Sequence, residues 1–329
     1  MMRRSLIFIS ILCYLTLPAG CKAKREEPQV SLHIIRFDKD LYQLILNDTP
    51  ELQKQLTERY PVLLELTGKS LFRMTDIRDP AFFDRMVNYY SEPTLNKLYR
   101  DVLKQYDIVE TIEKELSASF ESLQAALPDL PLPTVYMHVS GLMQNVLVGD
   151  GLLSISIDKY MGADYPLYAE FFHHYERQRM TTEYIVPDYL RAWLISEYPF
   201  RGAENVLLDR MIYEGKIRYI LQRALPQRNP EIWLGYTPEE YQWCQQHEKE
   251  IWQWMIEHKH IYTPDITTVN KYFSDRPSSF MADEAPGNLG VRTGWRIVEK
   301  YMDKTGASIN ELLMNTDYQD ILTKSKYKP

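Results

Sequence analysis

Cysteine is scarce in this chain, which excludes a fold held together by disulfide bonds. Three cysteines occur in 329 residues. Cys13 lies in an apolar N-terminal stretch that we expect to be removed, and Cys21 closes that stretch, so the body of the protein keeps only Cys244. A lone cysteine between Trp243 and Gln245 on a predicted helix is typical of a small buried apolar residue, and we expect no nucleophile there.

Long apolar runs are also lacking beyond the first 20 residues, so the body is expected to be a soluble globule. The apolar stretch from Leu6 to Leu17 follows Arg3 and Arg4, and it is too short to span about 30 Å of bilayer as a stable helix. This arrangement of a basic start and a short apolar run predicts a secretory signal peptide over residues 1–20.

The end of the signal indicates how the mature chain is attached. Leu17-Pro-Ala-Gly-Cys21 resembles the lipobox of bacterial lipoproteins, although Pro18 stands where an aliphatic residue is usual. We therefore predict that Cys21 carries acyl chains, palmitate among them, and that residues 21–30 form a charged tether. The alternative is an ordinary cleaved signal with an incidental cysteine.

Positively charged residues are also fewer than negatively charged ones. Lysine and arginine number 38 against 45 acids, a formal charge of -7. Removal of Arg3 and Arg4 brings the mature chain to about -9, which argues against nonspecific binding to nucleic acid. Glycine- and serine-rich linkers and internal repeats are absent, so we predict a single globular domain over residues 31–329.

Periodicity and turn residues predict an α+β fold that is predominantly helical with a small sheet. Gly149-Asp-Gly151 supplies a tight turn between two of the strands. The predicted strands are Ser31–Phe37, Thr134–Val139, Asn145–Val148 and Leu152–Ile157. The predicted helices are Glu51–Tyr60, Ala81–Tyr90, Thr94–Tyr106, Ile108–Leu127, Val186–Glu197, Glu204–Arg223, Thr237–Lys259 and Trp295–Met302.

Four segments carry a resemblance to a known family. They are Arg36–Tyr42, Leu153–Tyr168, Met211–Lys216 and Ala285–Met302, and together with Cys21 they resemble the gliding motility lipoprotein GldB family of the Bacteroidetes. The resemblance implies a lipoprotein of the cell envelope, anchored by lipid in the outer membrane. It also implies a function exerted through envelope protein partners, on the periplasmic or the surface side.

A more distant resemblance concerns a metal site. The order of a strand, two helices and a glycine-led terminal helix is similar to a family of predicted zinc-dependent proteases, which implies a zincin-like scaffold. Those proteases carry HExxH on the first helix, but the corresponding segment Pro187–Glu197 contains no histidine. Glu214 matches their third ligand, and alone it cannot hold zinc. We therefore expect a degenerate metal site and no cofactor.

Glu214 needs another explanation, because it lies on the core-facing stripe of its predicted helix. Arg218 follows four residues later, so we expect a structural ion pair between the two side chains. The alternative is a pair of carboxylates, Asp188 with Glu214 or with Asp209, acting as acid and base on a glycan. The sequence therefore leaves two functions open: a noncatalytic envelope lipoprotein, or a peptidase-like or other hydrolase with a rearranged active site.

Overall fold

The computed structural model of the protein describes residues 30–74, 76–276, 281–282 and 284–329. The predicted signal peptide, Cys21 and residues 21–29 of the predicted tether lie outside these residues. Within the part that is described, helices predominate and four short strands form one mixed sheet. None of the helices in this part combines the length and the apolar character needed to cross a membrane.

The helices follow one another through most of the chain, with the strands confined to two places. The strands are β1 (Ile34–Ile35), β2 (Thr134–His138), β3 (Val146–Gly149) and β4 (Leu152–Ser156). The helices are α1 (Phe37–Asn47), α2 (Pro50–Arg59), α3 (Pro61–Thr67), α4 (Ala81–Ser91), α5 (Pro93–Gln105), α6 (Glu110–Ala126), α7 (Tyr168–Phe171), α8 (His174–Arg177), α9 (Ile185–Glu197), α10 (Leu207–Ala224), α11 (Pro230–Leu234), α12 (Pro238–Gln246), α13 (Glu248–Glu257), α14 (Ile266–Tyr272), α15 (Leu289–Thr305), α16 (Ile309–Met314) and α17 (Tyr318–Ser325).

The sheet has the order β1-β2-β4-β3. Strand β2 pairs parallel with both β1 and β4, and the hairpin of β3 and β4 is antiparallel. The hairpin closes at Gly151, whose φ of +64° lies in the left-handed region that glycine adopts without strain. All five residues of β4 are buried, because this strand is inside the sheet and is covered by α9.

A buried carboxylate, Asp158, lies just after the end of β4. Asp158 accepts the backbone N–H of Ser140 at 3.0 Å and that of Leu142 at 2.6 Å, and the hydroxyl of Ser156 also donates to it. Burial raises the pKa of Asp158 in spite of these bonds. The carboxylate thus joins the end of β4 to the loop after β2, and the short 3-10 turn Ile157–Lys159 then delivers Tyr160 to the interior.

Helices α10 and α15 cross at a pair of glycines. A Cβ atom added to Gly215 would lie 2.3 Å from the carbonyl carbon of Gly294, and one added to Gly294 would lie 1.7 Å from the carbonyl oxygen of Met211. Glycine in mid-helix costs about 1 kcal/mol relative to alanine. The backbone contact accounts for that cost, since a side chain at either position would force the helices apart.

Three predicted elements differ clearly from the structure, and one of them is the predicted helix Trp295–Met302, which extends at both ends to Leu289–Thr305. The predicted strand Ser31–Phe37 shortens to two paired residues, because Phe37 already begins α1 with its side chain fully buried. The predicted helix Thr237–Lys259 is divided into α12 and α13 at His247. The ring Nδ1 of His247 lies 2.8 Å from the Trp243 carbonyl oxygen, a local side-chain contact of the kind that competes with helix continuation.

Candidate functional site

The described part of the chain encloses a polar cavity of about 350 Å³ beside α9 and α10. This size is at the lower end of the range for small-molecule sites in proteins. Its wall is completed by the segment after β4, by the loop that follows α11 and by the residues around the start of α15. The charged residues in the wall are Lys159, Glu176, Arg179, Asp188, Arg191, Arg210, Glu214, Arg218 and Asp275.

Helical spacing places the four central charges of this cavity. Asp188 and Arg191 are three residues apart on α9, and Glu214 and Arg218 are four apart on α10, so each pair lies on one face of its helix. All four residues line the cavity. The site is therefore built by two helices whose charged faces meet, and it alternates acid and base across the gap.

Glu214 on α10 forms an ion pair with Arg191 on α9. Both of its carboxylate oxygens lie 3.3 Å from Nη2 of Arg191, with the Glu214 side chain 12% exposed and that of Arg191 36% exposed. Burial acts to raise the pKa of Glu214, but the attraction of Arg191 and Arg218 outweighs it and the net shift is downward. Glu214 is therefore an ionised carboxylate in the folded protein at neutral pH.

Arg218 does not make the hydrogen bond to Glu214 that the sequence suggested. Its Nη1 donates to the carbonyl oxygen of Trp233 at 2.7 Å, while its buried Nε has no partner among the residues that the structure describes. Burial, together with repulsion from Arg191, lowers the pKa of the Arg218 guanidinium to about 10. The side chain still carries its charge at neutral pH, and it affects Glu214 through the electrostatic field.

Asp188 has a different environment from Glu214. The hydroxyl of Tyr160 donates to its Oδ2 at 2.6 Å. Burial raises the pKa of Asp188 although Tyr160 and Arg191 oppose the shift, and burial also raises the pKa of Tyr160, so its hydroxyl remains a donor. The other acid considered from the sequence, Asp209, accepts the Ala203 backbone N–H at 2.9 Å and is not part of the cavity wall.

A third arginine, Arg179, comes from the segment between α8 and α9. Its Nη1 contacts Asp275 at 2.6 Å and its Nη2 is 3.8 Å from Glu240. The attraction of Arg179 outweighs burial and holds the pKa of Asp275 below its usual range. The buried Nε and Nη2 of Arg179 have no hydrogen-bond acceptor within the described segments.

The remaining cysteine and an adjacent pair of histidines lie away from the cavity wall. Cys244 is fully buried, and burial raises the pKa of its thiol to about 12, so it stays protonated. His173 and His174 are exposed at the start of α8. The described residues contain no group of three or more His, Cys, Asp or Glu side chains that could hold a metal ion.

Sequence reasoning missed Arg191, Arg179 and Tyr160. For Arg191 a signal was available, because its three-residue spacing from Asp188 places both residues on one face of the predicted helix. No comparable signal pointed to Arg179 or Tyr160, because they reach the cavity from segments outside long helices.

Comparison with protein-family models shows a similarity over most of the chain. A family model described as gliding motility protein GldB matches residues 21–329. Neither the curated proteins nor the solved structures contain a match.

Proposed function

Because the chain belongs to the gliding motility protein GldB family, we propose that it is a lipid-anchored lipoprotein of the cell envelope that acts by binding, without catalysis. The lipid is carried by Cys21, the first residue of the family match. The outer membrane is the proposed location, and the binding role is exerted together with envelope protein partners.

The observation that carries the binding role is the presence of Arg191 and Arg218 in the cavity wall. A zinc site of the peptidase type needs neutral histidines and carboxylates aimed at one point. The corresponding helices here bring two guanidinium groups to the cavity, and Glu214 is already paired with Arg191. These donors do not fit a divalent cation, which positive charge repels, so we derive no hydrolytic step through a metal.

Replacement of the native gene by variants tests this function. We expect the double variant Arg191→Gln/Arg218→Gln to lose motility, or the corresponding envelope phenotype of a deletion strain, while the protein still accumulates in the membrane fraction. Arg223→Gln makes the same type of substitution, with the loss of one positive charge, at an exposed position near the end of α10 and serves as the control. A double variant that restores the deletion strain as well as the control does would contradict a role for the cavity.

A second candidate function is favoured by the two carboxylates of the cavity. Their environments move their pKa values apart, upward for Asp188 and downward for Glu214, which is the pattern of an acid and a base in hydrolases. In this function Asp188 would donate a proton and Glu214 would act as the base. Turnover of an envelope glycan by the purified chain, abolished in both Asp188→Asn and Glu214→Gln, would favour this alternative over a binding role.

A further inference from the structure

Several hydrogen-bond donor atoms of the arginines that line the cavity have no acceptor in the described residues. The buried Nε atoms of Arg179, Arg191 and Arg218, and Nη2 of Arg179, have no hydrogen-bond partner in the described part of the chain. All three side chains line the same cavity. A buried donor that has lost water and found no acceptor destabilises the fold, so four such donor atoms on three neighbouring side chains call for an explanation.

The acids of the cavity wall make no hydrogen bond to these donor atoms, and each accepts a hydrogen bond from another group. Glu214 is bound to Arg191, Asp188 receives the Tyr160 hydroxyl, and Glu176 accepts the His173 backbone N–H at 2.8 Å. Asp275 is shared between Arg179 and the Asn288 amide. The three arginines therefore keep donor atoms that none of the four acids pairs.

The charges of the wall also favour a negative ligand. Five cationic residues and four acids line the cavity, in a chain whose formal charge is -7. Lys159 lies with its Nζ 3.9 Å from the centre of the Phe172 ring, and the guanidinium of Arg210 lies 4.6 Å from that of Phe273. Both aromatic rings hold a cation beside the cavity, in addition to the three arginines.

We propose that this cavity binds a small molecule through a phosphate group, held by Arg179, Arg191 and Arg218. A phosphate offers three terminal oxygens in a tetrahedral arrangement, and planar guanidinium forks bind such oxygens with charge-assisted hydrogen bonds. A carboxylate has only two oxygens in one plane and would serve fewer of these donors. The proposal deepens the binding role proposed above and rests on it, in that it names the chemistry of the ligand.

Direct binding to the full chain, purified in a neutral detergent, tests the proposal. The probes are inorganic phosphate, glycerol 3-phosphate and acetate, with calorimetry and the thermal midpoint as readouts. We expect saturable phosphate binding, weakened about tenfold or more in Arg191→Gln and in Arg218→Gln, as the loss of one charge-assisted bond predicts. Acetate should bind at least about tenfold more weakly than phosphate.

Two further variants make the test specific. Arg223→Gln, on α10 but outside the cavity, should bind phosphate like the parent. Glu214→Gln keeps the shape of the side chain, removes a negative charge and frees Arg191, so phosphate should bind a few times more tightly. A gain in affinity cannot result from misfolding, which protects the test from a loss of stability in the arginine variants.

The source of the phosphate is distinguished by a last pair of probes. Tighter binding of glycerol 3-phosphate than of inorganic phosphate, or binding of a short-chain phosphatidic acid added to the detergent micelles, indicates a lipid headgroup. Preference for inorganic phosphate indicates the free ion. Absence of saturable binding for every phosphate probe, or equal weakening in Arg223→Gln, overturns the proposal. If the Arg191→Gln/Arg218→Gln strain still loses its function in that case, the cavity is a binding site for another ligand class.

Discussion

Glu214 is the residue on which the charge balance of the cavity depends. Replacement by alanine leaves Arg191 and Arg218 close together without an acid between them, and we expect the free energy of unfolding to fall by about 1–3 kcal/mol. This loss is smaller than the roughly 3–5 kcal/mol expected for a fully buried pair, because the Arg191 side chain is 36% exposed. Urea denaturation of the variant beside the parent gives the difference.

The control for this prediction is Glu257→Ala, which removes an exposed acid near the end of α13 and should change stability by no more than about 0.5 kcal/mol. A Glu214→Ala variant as stable as this control, with its envelope function lost, would show that the carboxylate serves the ligand and not the fold.

His138 makes the stability of the protein sensitive to acid. The ring is fully buried in β2, with Nδ1 2.8 Å from the hydroxyl oxygen of Ser154, and burial lowers its pKa from 6.5 to about 3. Between these two values the unfolded chain binds a proton that the folded chain does not. The histidine therefore reduces stability as the pH falls from 6.5 towards 3, by up to roughly 5 kcal/mol in total at about 1.4 kcal/mol per pKa unit.

Comparison with His138→Gln isolates this contribution from the carboxylates that also titrate. Glutamine remains neutral, so the difference in unfolding free energy between parent and variant should change in favour of the variant as the pH is lowered from 7 to 4. If the unfolding free energies of the parent and His138→Gln changed in parallel over this pH range, the His138 ring would not have the lowered pKa that burial predicts.

At the scale of the helices, the crossing of α10 and α15 is the contact least tolerant of change. Gly294→Ala would place a methyl group 1.7 Å from the carbonyl oxygen of Met211. The Cα atom that carries the methyl group and the carbonyl oxygen both belong to helical backbones, so neither can move independently of its helix. We expect a loss of about 3 kcal/mol or more, at the upper end of overpacking effects. The thermal midpoint, or the soluble yield if folding fails, measures the effect.

Lys304→Ala provides the comparison on α15, since it introduces the same residue at an exposed position of the same helix. Its stability should stay within about 0.5 kcal/mol of the parent. If Gly294→Ala were as stable as the parent, α10 and α15 could move apart at little cost. The positions of the cavity residues on α10 would then not depend on this close crossing.

The helices and strands were predictable wherever one local rule governed them. Proline at the first turn and apolar residues at helical spacing define α5 and α9, and alternation with a glycine turn defines β3 and β4. The break at His247 was not predictable, because neither glycine nor proline marks it.

The sequence also placed Glu214 on an inward face, but its partner Arg191 lies 23 residues away on another helix. Helical spacing reports neighbours within one helix and carries no information about a contact between two.

At the scale of the whole molecule, the family match from residue 21 to 329 and the composition of residues 1–20 make anchoring by Cys21 the next point to test. Several acyl chains together, at about 0.8 kcal/mol for each buried methylene group, hold a protein on a membrane far longer than one chain does. We expect Cys21→Ser to abolish incorporation of labelled palmitate and to release the chain from the membrane fraction. Cys244→Ser is the control, because its buried thiol should play no part in either result.

We expect the proposed anchor and the cavity to contribute separately to the function, and Cys21→Ser distinguishes the two contributions. The residues that line the cavity lie between positions 145 and 291, far from the substitution in sequence, so the variant should bind phosphate as the parent does while failing to restore a deletion strain. Loss of both properties would mean that the cavity forms only on the membrane. Retention of palmitate in Cys21→Ser would place the acyl chain on another residue and leave Cys21 as an incidental cysteine after a cleaved signal, which the lipobox resemblance with Pro18 in place of an aliphatic residue left open.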